Sequence, residues 1–293
     1  MKRNNPARPR AVAALALLLT ALVAFALSCG STHPLPPIAA GEGMQHIPGK
    51  IVWHALLTDD VAGAEKFYGK LCGWTFQAMD ENSPYTTIRL GTRDVGTIVE
   101  VKDTKGMRIT QWLSFMSVDD VDRAAQMCRE TGSVLRGPLD LPGFGRVALV
   151  RDAVGAPLVL VRSESGDPAD GVEPVVGTWL WNDYVTTDTE AGVRFYNELA
   201  GYEAGAADAD SPGGYWLLSA SGRARAGMFA APDSVGPHWL PYLRVADTQS
   251  ATKLSEELGA TVLMAPNADI RNGSSAIIQD PNGAVLVLQQ YPF

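Results

Sequence analysis

Residues 53–74 read WHALLTDDVAGAEKFYGKLCGW, and residues 181–202 read WNDYVTTDTEAGVRFYNELAGY, so one pattern returns 128 positions later. The matched positions carry tryptophan, threonine, aspartate, a Phe-Tyr pair, leucine and glycine: Trp53/Trp181, Thr58/Thr186, Asp60/Asp188, Phe67/Phe195, Tyr68/Tyr196, Leu71/Leu199 and Gly73/Gly201. Self-similarity at a fixed period is the signature of a repeated structural unit. The sequence therefore predicts two similar modules in one chain.

Each module contains a further internal repeat. Residues 112–161 match residues 239–288, with these pairs aligned: Trp112/Trp239, Asp120/Asp247, Gly132/Gly259, Asp152/Asp280 and Gly155/Gly283. The chain thus holds four units of about fifty residues each, a common length for repeated units. They start near Lys50, Thr110, Gly177 and Pro237.

The four units share one local pattern. Each opens with a short apolar strand that ends in Asp or Thr, residues that favour a helix N-cap: Ile51–Leu57, Trp112–Val118, Trp179–Val185 and Trp239–Val245. Apolar residues three or four apart then predict a helix with one buried face, and a glycine follows where a helix ends in a left-handed residue: Gly73, Gly132, Gly201 and Gly259. Three further strands complete the unit, which predicts an α+β fold of curved sheets backed by helices.

The strand–Asp–helix–Phe-Tyr pattern, closed by Asp-Pro-Asn-Gly at residues 280–283 and a last apolar strand, resembles the vicinal oxygen chelate (VOC) superfamily. This superfamily includes glyoxalase I, bleomycin-resistance proteins and extradiol dioxygenases. The resemblance implies two tandem modules, each of paired βαβββ units that form a cup. The fold supports unrelated chemistries, so function has to be argued from the site.

The resemblance also implies where a metal would be held. Enzymes of the superfamily use a His or Gln early in the first strand and a Glu in the last strand. Counting along this chain places those positions at Trp53, Leu113, Val159, Trp181, Leu240 and Val287. None of these side chains offers a donor suited to a divalent ion, so we expect no metal site and no cofactor.

Three side chains that could donate to a metal lie near the counted positions. His54 is one residue out of register, so strand alternation turns it toward the helices, and His238 is expected to be packed or at a rim. Glu100 is the carboxylate that could fall at a last-strand position, although alone it makes no site.

The residues expected to face the cups are mostly aromatic. We predict a ligand site formed by Trp53, Phe115, Trp181, Asp183, Tyr242 and Arg244. An apolar cup with few polar groups suits a small apolar or aromatic molecule, although the same aromatic residues could simply fill the core. Asp183 should have a raised pKa or a partner such as Arg244, since a carboxylate is costly in apolar surroundings.

The N-terminus carries an export pattern. Residues 1–28 join a basic region, Lys2 to Arg10, to an apolar run that ends before Cys29, as in a secretory signal of the bacterial lipoprotein type with Cys29 lipidated. Ordinary cleavage or an uncleaved anchor are the alternatives. We expect an exported, membrane-anchored lipoprotein of the cell envelope, or otherwise a periplasmic or secreted protein.

The predicted organisation is a signal peptide (1–28), a tether (29–49), a first module (50–163), a linker (164–175) and a second module (176–293). Loss of the signal moves the formal net charge from −8 to −12, which argues against nucleic acid as a partner because phosphate binding needs clustered Lys and Arg. Cys72 and Cys128 are expected as free thiols, with a disulfide as the alternative.

Two functions from different classes follow. The first is a binding protein that has lost the family's metal ligands and holds a small apolar or aromatic molecule, or a protein partner. The alternative is a metal-dependent glyoxalase- or dioxygenase-type lyase or oxidoreductase with displaced ligands. Metal-free acid–base catalysis through Asp183 or Glu100 is a third hypothesis.

Overall fold

A computed structural model describes residues 35–39, 45–80, 83–102, 110–208 and 214–292. The signal peptide, Cys29 and much of the predicted tether lie outside the described residues.

The first module contains β1 (Ile51–Thr58), α1 (Val61–Cys72), β2 (Thr75–Ala78), β3 (Tyr85–Leu90), β4 (Arg93–Glu100), β5 (Gln111–Ser117), α2 (Val121–Thr131), β6 (Ser133–Leu141), β7 (Gly145–Arg151) and β8 (Pro157–Ser163). The second module contains β9 (Trp179–Thr186), α3 (Thr189–Ala200), β10 (Glu203–Asp208), β11 (Tyr215–Ala220), β12 (Arg223–Ala230), β13 (His238–Val245), α4 (Thr248–Glu257), β14 (Thr261–Met264), β15 (Ser275–Gln279) and β16 (Val285–Gln290).

The strands form two curved eight-stranded sheets of the same topology. The first has the order β2-β3-β4-β1-β5-β8-β7-β6 and the second the order β10-β11-β12-β9-β13-β16-β15-β14. In the first sheet, β1 and β5 pair antiparallel at the centre, and each pairs parallel with the last strand of its own unit. The predicted α+β fold of two tandem modules, each of paired βαβββ units, is confirmed.

Each of the four α-helices in the described residues begins at an aspartate that follows a strand. The carboxylates of Asp60, Asp120, Asp188 and Asp247 each accept a hydrogen bond from a backbone N–H in the first turn, the ordinary role of an N-cap. The helices α1 and α3 end at left-handed glycines as predicted.

Gly132 is different, and the prediction of a left-handed residue there was wrong. Its φ is −148°, and a Cβ would stand 2.3 Å from the carbonyl oxygen of Arg151. The glycine is needed because the helix end approaches the backbone of strand β7.

The helices lie between the two sheets, so the modules share their cores. One apolar cluster joins Leu56, Phe67 and Ile98 of the first module to Leu243 and Leu286 of the second. A second cluster makes the reciprocal connection between the other half of each module. Each module therefore buries its helix-side face against the other, and the two modules share a continuous apolar interface.

Reciprocal hydrogen bonds cross this interface. The Tyr68 hydroxyl donates to Asp280 at 2.8 Å, and the Tyr196 hydroxyl donates to Asp152 at 2.9 Å. In both copies the other carboxylate oxygen accepts three backbone N–H groups of its own turn. The repeated Phe-Tyr pair and the repeated Asp-x-x-Gly turn are thus two halves of one contact between modules.

His54 lies where the matched first strands of the modules face each other. Its Nε2 is 2.8 Å from Oδ1 of Asn182, the residue at the same position of the second module, and its ring packs on Trp179 with 4.3 Å between centroids. The side chain is buried on the helix side of strand β1. Its predicted orientation is confirmed.

The N-terminal segment packs against the first module and is hydrogen-bonded to the linker. Leu35 and Ile38 are buried against the face of the first sheet that points away from the helices, and the N–H of Ala39 donates to Ser165 in the linker at 3.0 Å. The cysteines Cys72 and Cys128 are free. No helix among the described residues is long and apolar enough to cross a membrane.

Candidate functional site

Each sheet presents a second face, away from the helices, that we call its cup. The first cup is lined by an apolar cluster that includes Trp53, Leu113, Phe115 and Val159. The strand register places Phe115 opposite both Trp53 and Val159. The predicted cup residues of the first module therefore do lie together, and Leu35 of the N-terminal segment covers them.

The second cup has the same framework but is more polar and more open. Tyr242 stands opposite both Trp181 and Val287, the arrangement found for Phe115 in the first cup. Trp53 is 4 % exposed, whereas Trp181 and Phe229 in the second cup are only partly buried. Among the described residues, no linker residue belongs to the apolar cluster of the second cup, whereas Leu35 belongs to the cluster of the first.

A cluster of polar side chains occupies the floor of the second cup. Asp183, which replaces Ala55 of the first cup, is 1 % exposed and accepts hydrogen bonds from Tyr215 at 2.7 Å, from Trp181 Nε1 at 3.0 Å and from the Tyr242 hydroxyl. Gly227 leaves the space for this cluster, because a Cβ there would stand 1.9 Å from the Tyr215 oxygen.

Arg271 covers the cluster from the solvent side. Its guanidinium carbon lies 5.4 Å from the ring centroid of Tyr215 and 5.5 Å from that of Tyr242, within the range of a cation–π contact. It also donates to the Tyr215 oxygen at 3.0 Å and to Gln289 at 3.1 Å. The cluster thus combines one carboxyl group, two phenols and one guanidinium.

The electrostatics of the cluster are dominated by burial. Burial raises the pKa of Asp183, although the hydrogen bonds from Tyr242 and Tyr215 and the charge of Arg271 oppose that shift. Burial also raises the pKa of both tyrosines, and the charge of Asp183 adds to the effect. The tyrosines therefore stay protonated and act as donors to Asp183.

The expected positions of two charged side chains were wrong. Arg244 does not pair with Asp183: its guanidinium forms an ion pair with Glu173 at 2.6 Å and donates to the carbonyl oxygens of Pro174 and Tyr291. It thus anchors the linker and the C-terminus at the rim. Glu100 points away from the first cup, on the strand face opposite to Val99, and pairs with Lys102 at 3.0 Å.

The cups do not fit the metal that the superfamily implies. The counted ligand positions, namely Trp53, Leu113, Val159, Trp181, Leu240 and Val287, line the two cups and present carbon or indole. His238, which is near one of these positions, instead contacts the Gly236 carbonyl oxygen at 3.0 Å. In the described ranges no three His, Cys, Asp or Glu side chains cluster closely enough to hold an ion.

Sequence reasoning missed three members of the second-cup cluster. Tyr215 and Gln289 alternate onto the cup face of strands β11 and β16, so strand alternation could have found them. Arg271 comes from an irregular segment with positive φ at Arg271 and Asn272. No periodic pattern marks such a position.

Comparisons with known proteins agree with this architecture. A family profile described as a glyoxalase-like domain matches residues 180–288. The chain is 28% identical over 252 residues to a Mycobacterium tuberculosis protein named "Putative glyoxylase CFP32", covering 82% of this chain and 94% of that protein. It is also 28% identical over 256 residues to the "Anthracycline biosynthesis protein DnrV" of Streptomyces peucetius, covering 81% of this chain and 91% of that protein.

A solved structure supports the fold at lower sequence identity. The Mn(II)-bound glyoxalase from Novosphingobium aromaticivorans superposes with a TM-score of 0.57 at 14% identity, covering 83% of this chain and 82% of that chain. Identity at this level supports the fold and not the activity. The chain therefore has the VOC fold in two tandem modules, and residues 180–288 of the second module match a glyoxalase-like domain.

Proposed function

We propose that this protein binds a planar aromatic small molecule in the second cup. The observation that carries the proposal is the contrast between the aligned tryptophans. Trp53 is buried in a cluster that includes the protein's own Leu35 and Phe144, whereas Trp181 is only partly buried and donates a hydrogen bond to the buried Asp183. An open aromatic surface beside a few convergent polar groups is the usual composition of a small-molecule site.

The aromatic class of ligand follows from what surrounds Trp181. Phe229, Ile277 and Val285 are also partly buried and pack in the same cluster, so a flat molecule could lie across apolar side chains. Stacking on an indole ring favours a planar π-system. One relative is named for the biosynthesis of anthracyclines, compounds that contain planar fused aromatic rings, and this name supports the same ligand class.

The polar cluster gives such a ligand an orientation. Both oxygens of Asp183 are already engaged by Tyr215 and Tyr242, so the carboxyl group holds these phenols in place and does not contact the ligand. Arg271 is only partly buried, and its guanidinium can meet a polar edge of the ligand. Among the residues that the structure describes, neither cup offers the donor set that the metal-dependent alternative requires.

Titration calorimetry with 1,4-dihydroxyanthraquinone tests this proposal. Stacking on one aromatic side chain contributes about 1–3 kcal/mol, so Trp181→Leu should weaken binding by about five- to 150-fold. The matched control is Trp53→Leu, at the same position of the covered cup, which should leave the affinity within about twofold. Equal affinities of the wild type and Trp181→Leu, or a loss confined to Trp53→Leu, would refute the proposal.

We further propose that the chain is exported and anchored to a membrane through a lipid on Cys29. This proposal rests on the basic and apolar pattern of residues 1–28, which has the form of a secretory signal. Cys29→Ser should move the protein from the membrane fraction to the soluble fraction of its host, and the N-terminal peptide of the wild type should carry acyl mass. An unmodified Cys29 in the membrane-bound protein would contradict the lipid anchor.

A further inference from the structure

The first cup is covered by a segment from the N-terminal part of the chain. Leu35 and Ile38 are 9 % and 6 % exposed and belong to the same apolar cluster as Trp53. The backbone N–H of Ala39 donates to Ser165 at 3.0 Å, which holds the end of the segment to the linker. The segment therefore enters the folded protein at the face of the first sheet that points away from the helices.

Leu35 lies over the middle of that sheet. It borders a small hollow together with residues of three adjacent strands, namely Trp53 and Ala55 of β1, Thr97 and Val99 of β4, and Phe115 of β5. These are the third, fourth and fifth strands in the order of the sheet. Since neighbouring strands lie about 4.8 Å apart, the nearer lateral edge of the sheet is roughly 15 Å from Leu35.

The two cups open on opposite sides of the protein. The helix-side faces of the two sheets pack against each other, so both cups lie on outer faces. At the centre, the first strands of the modules meet through His54 and Asn182. Packed sheets are about 10 Å apart, so a chain that leaves Leu35 must go around a sheet edge and past the second sheet, a path of roughly 25 Å or more, to reach the second cup.

The chain between the lipid anchor and the first cup is too short for that path. Cys29 is six positions before Leu35. A fully extended chain spans at most about 3.6 Å per residue, so Cys29 lies within about 22 Å of Leu35. This reach is sufficient for the mouth of the first cup and falls short of the mouth of the second.

We propose that the anchored protein lies with its first cup toward the membrane and its second cup toward the aqueous phase. The inference rests on the lipid at Cys29 proposed above and goes beyond it, because it identifies the face that meets the bilayer. The partner of the first-cup face is thus a lipid surface. The second cup stays accessible to a dissolved aromatic ligand, whereas Leu35 and Ile38 already cover the cup that faces the lipid.

Two matched positions at the mouths of the cups allow a test of this orientation. Pro142 is exposed between Leu141 and Phe144, which line the first cup. Ile270 lies 128 positions later and is 40 % exposed beside Arg271 of the second cup. A label at either position therefore reports on the surroundings of one cup.

The experiment uses the full acylated chain in phosphatidylcholine vesicles that contain a nickel-chelating lipid. A nitroxide is attached to Pro142→Cys or to Ile270→Cys, and the wild type treated with the same reagent gives the background from Cys72 and Cys128. We expect the nickel lipid to accelerate the relaxation of the nitroxide several times more at position 142 than at position 270. An equal or larger effect at position 270 in the acylated protein would overturn the orientation and leave the lipid anchor intact.

Two further measurements separate the orientation from the anchor. Mass spectrometry of the N-terminal peptide shows whether Cys29 carries a lipid, and its absence would overturn the anchor and the orientation together. Insertion of Gly and Ser residues between Ser31 and Thr32 lengthens the reach, by roughly 25 Å on average for about twenty residues, and should remove the difference between the two labels. An unchanged difference would mean that the tether does not set the orientation, which would also overturn the inference.

Discussion

His54 should make the paired modules sensitive to acid. Burial lowers the pKa of His54 from 6.5 to about 4, although its hydrogen bond with Asn182 opposes the shift. The folded protein therefore keeps this imidazole neutral at a pH where the unfolded chain protonates it. Between pH 6.5 and about 4 the unfolded state binds more protons, so the free energy of unfolding falls as the pH falls through this window.

The magnitude follows from the width of the window. One pKa unit corresponds to about 1.4 kcal/mol, so acidification from pH 7 to pH 5 should remove about 2 kcal/mol through His54 alone. For a chain of this size, that loss lowers the melting temperature by about 4–8 °C. The residues in contact with the ring, Asn182 and Trp179, are uncharged, so no neighbouring charge offsets the proton.

The matched control is His54→Asn, which gives both modules the residue that the second already has at position 182. Urea denaturation at pH 7, 6 and 5 measures the free energy of unfolding of both proteins. Other titrating groups, such as Asp183 and Asp280, are present in both and cancel in the difference. Parallel pH dependences for the wild type and His54→Asn would refute the reasoning.

Three further changes test other parts of the structure. Tyr68→Phe removes the donor to buried Asp280 and should cost about 1–3 kcal/mol of unfolding free energy; an unchanged urea midpoint would contradict the contact between modules. Gly227→Ala should disrupt the second-cup cluster and abolish binding of 1,4-dihydroxyanthraquinone. The control Gly205→Ala, where a Cβ meets nothing within 4 Å, should leave binding unchanged. Equal affinities of the two variants would show that binding does not depend on the second-cup cluster. Leu35→Ser should cost about 2–3 kcal/mol because it removes a buried leucyl side chain, and thermal unfolding identical to the wild type would mean that this segment is not packed in the first cup.

The sequence was sufficient to predict the fold because the same constraints recur four times. Each unit needs an apolar strand, an aspartate to cap the helix and a helix with one apolar face, and all three leave periodic signals. Strand alternation also placed His54 correctly on the helix side. It could not show that Tyr68 and Asp280 would meet, since that contact depends on how one module packs on the other.

The site was predicted only in part, for a physical reason. Strand residues such as Trp181, Asp183 and Tyr242 face the second cup as alternation requires. The cation that approaches Asp183 is Arg271, which comes from an irregular segment, and not Arg244, which the linker and the C-terminus hold at the rim. A long arginine side chain at a strand end can donate to any nearby carbonyl or carboxylate oxygen. Its partner therefore depends on the tertiary structure and cannot be predicted from the strand pattern alone.

A crystal structure of the protein with 1,4-dihydroxyanthraquinone would test the central claim most directly. We predict density for the flat molecule against Trp181 and Phe229 in the second cup, with its polar edge toward Arg271 and the Asp183 cluster intact beneath it. A molecule bound instead between the modules or in the first cup, or a second cup closed by a segment of the chain itself, would contradict the account.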